Sequence, residues 1–163
     1  MTRIGISCVL SILLLGCGVY SFTGHGIGGI KTIAVEPFDN RTAEFGIRED
    51  LTDAVINRLL SNRTLTVASQ ATADGILRGA IVSIDDRPLT FSENEEATEY
   101  QVVITVEVSV VRPGHSEPIW EARLVGEGNY PYQTGSPEER SQGLDKAVDM
   151  LVQELVNRLT SDW

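Results

Sequence analysis

From Tyr100 to Val111 the chain alternates: Tyr100, Val102, Ile104, Val106, Val108 and Val110 fall on one parity, and Gln101, Thr105, Glu107 and Ser109 on the other. Such a run of β-branched residues makes a strand with one face in a core and the other turned away. It constrains everything around it, because its apolar side needs a covering layer. After the turn-forming stretch "RPGHSEP", Trp120, Ala122 and Leu124 repeat the pattern against Glu121, Arg123 and Glu127. The two runs are therefore predicted to pair as an antiparallel hairpin.

Two segments with helical spacing supply the cover. Ile47, Leu51, Val55, Ile56, Leu59 and Leu60 make one apolar stripe with charged residues between them, ended by "SNRT". The second begins at "SPEER", with Ser136 as N-cap, Pro137 at the first helical position and Glu139 closing a capping box. Its stripe is Leu144, Val148, Leu151, Leu155 and Leu159. Shorter β-type runs are "IKTIAVEPF", "LTVAS" from Leu65 and "DGILRGAIVSIDDRP". The last places Ile76, Ala80, Val82 and Ile84 on one parity and Leu77 and Ile81 on the other, as in a central strand buried on both faces. The simplest architecture is an α+β two-layer sandwich, with two helices on one face of a mixed, largely antiparallel sheet of about four to five strands. Asp39 to Thr42 is turn-like and open to a capping role or a partner contact, and Tyr130 and Tyr132 around Pro131 are a candidate aromatic contact patch.

Ahead of the first strand, Arg3 is followed by an apolar, uncharged run from Ile4 to Gly16. A spanning helix needs about 20 apolar residues, so this shorter run reads as a signal segment to be removed. It ends in "LLGC", which resembles the lipobox of bacterial lipoproteins, and that resemblance implies a diacylglycerol and an N-acyl chain on Cys17. An ordinary secretory signal or a signal anchor is the alternative. The expected organisation is a removed signal peptide over 1–16, an acylated cysteine and glycine-rich leader over 17–29, and a single α+β domain over 30–163. Gly18, in place of the aspartate that retains enteric-type lipoproteins at the inner membrane, points to the periplasmic face of the outer membrane. Cys8 would leave with the signal and Cys17 carry lipid, so no disulfide is expected and packing alone must hold the fold.

A formal charge of −10 argues against a nucleic-acid partner. The only histidines, His25 and His115, lie in no metal-ligand spacing, and Glu93, Glu95, Glu96 and Glu99 in a predicted loop from Asp85 to Glu99 read as a solvated charge run. The glycines of "GHGIGG" do not link a strand to a helix, so they make no phosphate cradle. No catalysis, metal or further cofactor is expected.

Taken in order, Cys17, Gly18, Tyr20 and Phe22; Pro37, Phe38, Asn40, Arg41 and Thr42; and Ala73, Asp74, Leu77 and Gly79 resemble the motifs of the lipopolysaccharide-assembly lipoprotein family, LptE. In this chain Val19 separates Gly18 from Tyr20, which would reverse the facing of the aromatics along a paired strand. The resemblance implies a non-catalytic lipoprotein that sits inside and beneath a large outer-membrane β-barrel, an LptD-like lipopolysaccharide translocon, as plug and assembly partner. Candidates for partner contact are Tyr20, Phe22, Asn40, Arg41, Tyr130 and Tyr132. Arg87, the sole basic residue between Asp85 and Glu99, is the candidate for lipopolysaccharide, whose phosphates would otherwise need divalent cations to approach this acidic segment. A regulatory lipoprotein activating a peptidoglycan synthase, or another envelope assembly lipoprotein, is the alternative; the aromatic "YSFTG" close behind Cys17 favours the first reading. Cys17→Ala is expected to shift the chain from the membrane to the soluble fraction with an unchanged denaturant midpoint, read by fractionation and urea unfolding.

Overall fold

Residues 27–161 are described by the structure, a computed structural model. The signal segment, Cys17, Tyr20, Phe22 and His25 lie outside the described residues. After a 3₁₀ turn at Ile27–Gly29, the chain forms β1 (Thr32–Val35), β2 (Asp39–Asn40), α1 (Ile47–Asn62), β3 (Thr66–Val67), β4 (Gly75–Phe91), β5 (Ala97–Val111), β6 (Pro118–Pro131) and α2 (Pro137–Thr160). The sheet runs β3-β1-β4-β5-β6, with β2 also on β4. Pairings β1–β3, β1–β4 and β2–β4 are parallel; β4–β5 and β5–β6 are antiparallel. This is the expected two-layer α+β architecture.

Why β1 and β2 are two strands follows from Pro37, which has no N–H to give to a ladder. The chain still follows β4, because Glu36 N–H donates to Leu77 O at 3.0 Å and Arg41 N–H to Ile81 O at 3.0 Å. Between those bonds the Phe38 ring turns inward, 1% exposed, over Gly79. A Cβ at Gly79 would overlap that ring, so glycine is required by space, not by backbone angle. Phe38 N–H donates to the Thr52 hydroxyl of α1 at 3.2 Å, and that hydroxyl donates to Arg48 O. A buried threonine thus joins strand and helix with both of its hydrogen-bonding roles satisfied.

One core lies between the helices and the sheet. Leu51, Val55 and Leu59 of α1 and Leu151, Leu155 and Leu159 of α2 are fully buried against Leu77, Ile81, Ile104, Val106 and Leu124. Each such side chain contributes about 1.5–3 kcal/mol by leaving water. Leu60, placed by spacing on the α1 stripe, is 59% exposed on the helix shoulder. Ala34, Ala73, Ile76 and Val111 form a smaller buried cluster. Ala34, Ile76 and Val111 are the sequence neighbours of the core residues Ile33, Leu77 and Val110, so strand alternation puts them on the opposite face, where Ala73 joins them from the turn before β4.

Three features of the strands differ from the expectation. Asp39 and Asn40, read as the start of a turn, pair with β4 as β2, and the turn follows them. The acidic segment from Asp85 to Glu99 is mostly strand: β4 continues to Phe91 and β5 begins at Ala97, leaving Ser92–Glu96 as the turn. The parity of β4 also does not hold along its length, because a register shift between Ile81 and Ser83 moves Val82 out of phase. Beyond that bulge Ile84 pairs with Ile104 and packs against the main core, so it does not share a face with Ile76 as the sequence suggested.

Helix α2 approaches β6 closely through glycines. A Cβ on Gly126 would strike the Ala147 carbonyl and one on Gly128 the Gly143 carbonyl, so the helix backbone rests directly on the strand. Gly79→Ala and Gly128→Ala should each lower stability by about 1–3 kcal/mol or more, since overpacking here has no flexible side-chain end to displace. Urea unfolding of the two variants checks this.

Candidate docking surfaces

Arg140, in the first turn of α2, is the hub at one end of the domain. Its guanidinium donates to both Glu44 oxygens, at 3.0 and 2.9 Å, and its Nε to Asp86 Oδ2 at 3.0 Å. Asp86 Oδ1 accepts from the Tyr130 hydroxyl at 2.8 Å. The lead into α1, the outer part of β4, the end of β6 and the start of α2 are thereby tied at one point. Pairing with Glu44, opposed by burial and reinforced by Asp86, holds Arg140 firmly protonated. Burial first, and then the bond to Asp86, raises the Tyr130 pKa from 10.0 to about 12.

The loop before α2 supplies the geometry. Ser136 accepts the Glu139 N–H at 3.3 Å, as an N-cap does. The Glu139 carboxylate passes beyond Ser136 and accepts instead from Gln133, Thr134 and Gly135 N–H and from the Thr134 hydroxyl. Only half of the expected capping box forms; the other half is spent on ordering the 133–135 turn. Burial pushes Glu139 up, but these bonds, the Thr134 hydroxyl first, outweigh it and hold the carboxyl below its ordinary range.

Tyr130, a candidate for partner contact, is only 5% exposed and acts as a strut between β6 and Asp86. Tyr132 is 47% exposed. Tyr100 bridges the two, with ring centroids 5.9 Å from Tyr130 and 4.8 Å from Tyr132. Tyr132, with exposed Leu89 and Phe91 on β4, leaves apolar surface at the end of the sheet that the β4–β5 turn closes. Arg87 is exposed on this same outer part of β4, opposite Gln101.

The second surface is the sheet face turned away from the helices. It holds a shallow depression of about 610 Å³ with Gly79, Ala80 and Ser109 on its floor and Arg41, Arg78, Arg123, Asp39, Glu107 and Glu121 around it. Arg41 and Arg123 share the Glu107 carboxylate at 3.7 and 3.6 Å, and Arg78 pairs with Glu36 at 2.9 Å. Arg41 is 60% exposed, and a pair so wet contributes at most about 1 kcal/mol, so its guanidinium can exchange Glu107 for a partner at little loss. Asn40, by contrast, is occupied locally: its Oδ1 accepts from Thr42 N–H and hydroxyl, and its Nδ2 donates to Glu44 O. It builds the turn that presents Arg41 and Glu44.

The structure therefore separates the candidates. Arg41 lies on the open face, Arg87 and Tyr132 near the β4–β5 turn, Asn40 within a turn and Tyr130 in the interior. The sequence reading missed the Arg140–Glu44–Asp86 hub, whose members lie up to 96 residues apart. Among the described residues no group of three or more His, Cys, Asp or Glu side chains is placed to hold a metal ion, and no helix is long and apolar enough to cross a membrane.

A family model for lipopolysaccharide assembly, LptE, matches residues 30–159. No curated protein sequence matches the chain. Among solved structures the fold is similar to that of a hypothetical protein from Chlamydia trachomatis, with 14% identity, 79% of this chain and 95% of that one covered, and a TM-score of 0.59. It is also similar to the PelC dodecamer from Paraburkholderia phytofirmans, at 15% identity, 80% and 89% coverage and a TM-score of 0.52. A minor lipoprotein from Acinetobacter baumannii matches at 14% identity, 80% and 90% coverage and a TM-score of 0.53. At these identities the likeness is one of fold.

Because the fold favours the protonated Tyr130, the stability that its hydroxyl contributes is complete below about pH 10 and is lost as pH rises through about 12. Tyr130→Phe should lower stability by about 1–2 kcal/mol near neutrality and remove this alkaline loss. Urea midpoints of the two proteins at neutral and alkaline pH check it.

Proposed function

Since this chain belongs to the lipopolysaccharide-assembly family LptE, we propose that it is a non-catalytic, lipid-anchored lipoprotein of the outer membrane that docks with an LptD-like β-barrel and helps deliver lipopolysaccharide through it. The observation that carries this reading is the family match across residues 30–159, nearly the whole described domain. The sequence before the domain supports it, with an apolar run ending in "LLGC" and a glycine-rich leader. Acyl chains on Cys17 would confine the domain to the membrane's periplasmic face. Confinement raises the effective concentration at a barrel in the same membrane, so modest contacts suffice for docking.

Within this reading Arg41 on the open sheet face and Tyr132 beside the β4–β5 turn are the exposed candidates for barrel contact. Tyr20 and Phe22 would add contacts from the leader. Arg87 would meet lipopolysaccharide phosphate, with divalent cations screening Glu93, Glu95 and Glu96. No step calls for a nucleophile or a base; the domain acts by occupying space and holding a partner.

The tagged full-length chain, captured from detergent-solubilised outer membranes, should bring down a large β-barrel in near-stoichiometric yield, identified by mass spectrometry. A penicillin-binding protein in its place, or no membrane partner, overturns the assignment.

A further inference from the structure

Strand β6 ends the sheet, and among the described residues no strand pairs with its outer edge. Helix α2 covers only the far end of that edge. There Glu127 N–H donates to the Met150 sulfur at 3.4 Å, and Lys146 Nζ donates to Asn129 O at 2.8 Å. These two bonds fix the parity: the backbone groups of the odd-numbered residues point away from β5. Glu121, Arg123 and Val125 therefore turn their N–H and C=O groups outward along about 14 Å of strand. Exposed apolar side chains flank this stretch on both faces, Val125 on the open face and Met150 on the helix side. An edge of this kind is a template for another strand.

The place where the chain enters the domain names the strand. Ile27–Gly29 lies at the foot of β6: a Cβ on Gly28 would stand 3.1 Å from Ile119 Cδ1, and Arg112 donates to Gly28 O at 2.8 Å. Ile30 then lies against Gly75 of β4, and β1 follows on the far side of β4. The chain thus crosses the foot of the sheet from the β6 side, and the residues before Ile27 start from beside Ile119. Between Cys17 and Ile27 every β-branched residue, tyrosine and phenylalanine falls within Val19 to Thr23, a short run of strand-forming composition. Residues 18–26 reach about 30 Å when extended, about twice the open edge.

We propose that the leader, Val19 to Gly26, adds itself to the free edge of β6 as an antiparallel strand of the chain's own sheet. Counted back from Ile27 as β6 is counted on from Ile119, Thr23 comes level with Arg123, Phe22 with Leu124 and Tyr20 with Gly126. Residues level with one another share a face, so the two aromatic rings lie on the helix side beside Met150, and Val19 faces the other way toward Val125. Cys17 is then held near Asn129. That is the end of the sheet that carries Leu89, Phe91 and Tyr132, since Gln101 pairs with Asn129 and Glu99 with Pro131. Acyl chains on Cys17 and the exposed apolar surface would leave the domain at the same end, which gives it one orientation on the membrane in place of a long tether's many. The outer sides of the Tyr20 and Phe22 rings remain open to a partner, so the inference goes beyond the barrel reading without depending on it.

Backbone amide exchange, followed by NMR on the full-length chain purified from membranes in detergent, tests the added strand against the variant Tyr20→Ser/Phe22→Ser. The Arg123 and Val125 amides should exchange about tenfold faster in the variant than in the wild type. The Ala122 and Leu124 amides, which are turned to β5, should exchange alike in both and report an intact domain. In a separate pair of proteins, Thr23→Cys should form an intrachain disulfide with Arg123→Cys and none with Thr66→Cys on β3, the opposite edge, as read by mass spectrometry of unreduced peptides. Equal exchange of Arg123 and Val125 in wild type and variant, protection that grows with protein concentration as pairing between two copies would give, or disulfides formed equally at both edges would overturn the assignment. None of these outcomes bears on capture of a barrel, which tests the reading above separately.

Discussion

The ring of Phe38 on the bare backbone of Gly79 is the contact from which the rest of this domain is arranged. It seats the chain after Pro37 against β4, and the neighbouring bonds of Glu36 and Arg41 continue a ladder that proline would otherwise end. Through the Thr52 hydroxyl the same residue fixes α1 over the parallel half of the sheet. At the other end of that half, Asp74 accepts the N–H groups of Lys31 and Thr32 at 3.1 and 3.0 Å and so secures the start of β1. Bonds from Thr32 and Lys31 hold its carboxyl below the ordinary range. The stretches "PFDNRT" and "ADGILRG", separate in sequence, are two sides of one joint.

The two faces of the sheet have opposite fates. One receives both helices, and Gly126 and Gly128 let α2 come down onto β6 until backbone meets backbone. The other is left to water except where a small alanine-rich cluster covers its end, and it carries a balanced set of arginines and carboxylates. A protein that must be held firmly and yet offer surface can be built this way, with rigidity invested in one face and exchangeable ion pairs on the other.

Where the sequence was readable, the signal was periodic and local. The alternation of β5 and β6, the stripe of α2 and the Ser136 cap need only neighbouring residues, and the structure contains each. The β4 bulge was not readable, because the alternation on either side of Val82 is intact and only pairing with Val106 and Thr105 shows the slip. The extension of β4 and β5 through acidic sequence was hidden for a related reason: strands at a sheet end draw support from cross-strand partners more than from their own apolar content. Tyr130 looked like surface because of the polar, proline-bearing residues around it; its burial depends on Gly143 and Arg140, supplied by a helix not yet formed at that point in the chain. One signal was available and unused. Gly126 and Gly128 occupy the inward parity of a strand, where a missing side chain marks the close approach of another backbone.

The bond between Arg140 and Glu44 closes a loop of 96 residues. Closing so long a loop costs conformational entropy, which the surrounding core must offset. Helix α2 is the last of the described elements, yet its first turn holds the turn that precedes α1, the outer part of β4 and the end of β6. Fraying of that one turn would release three distant segments together. The front of the molecule is therefore kept shut from the back, and the domain should open there as a single cooperative unit instead of loosening element by element.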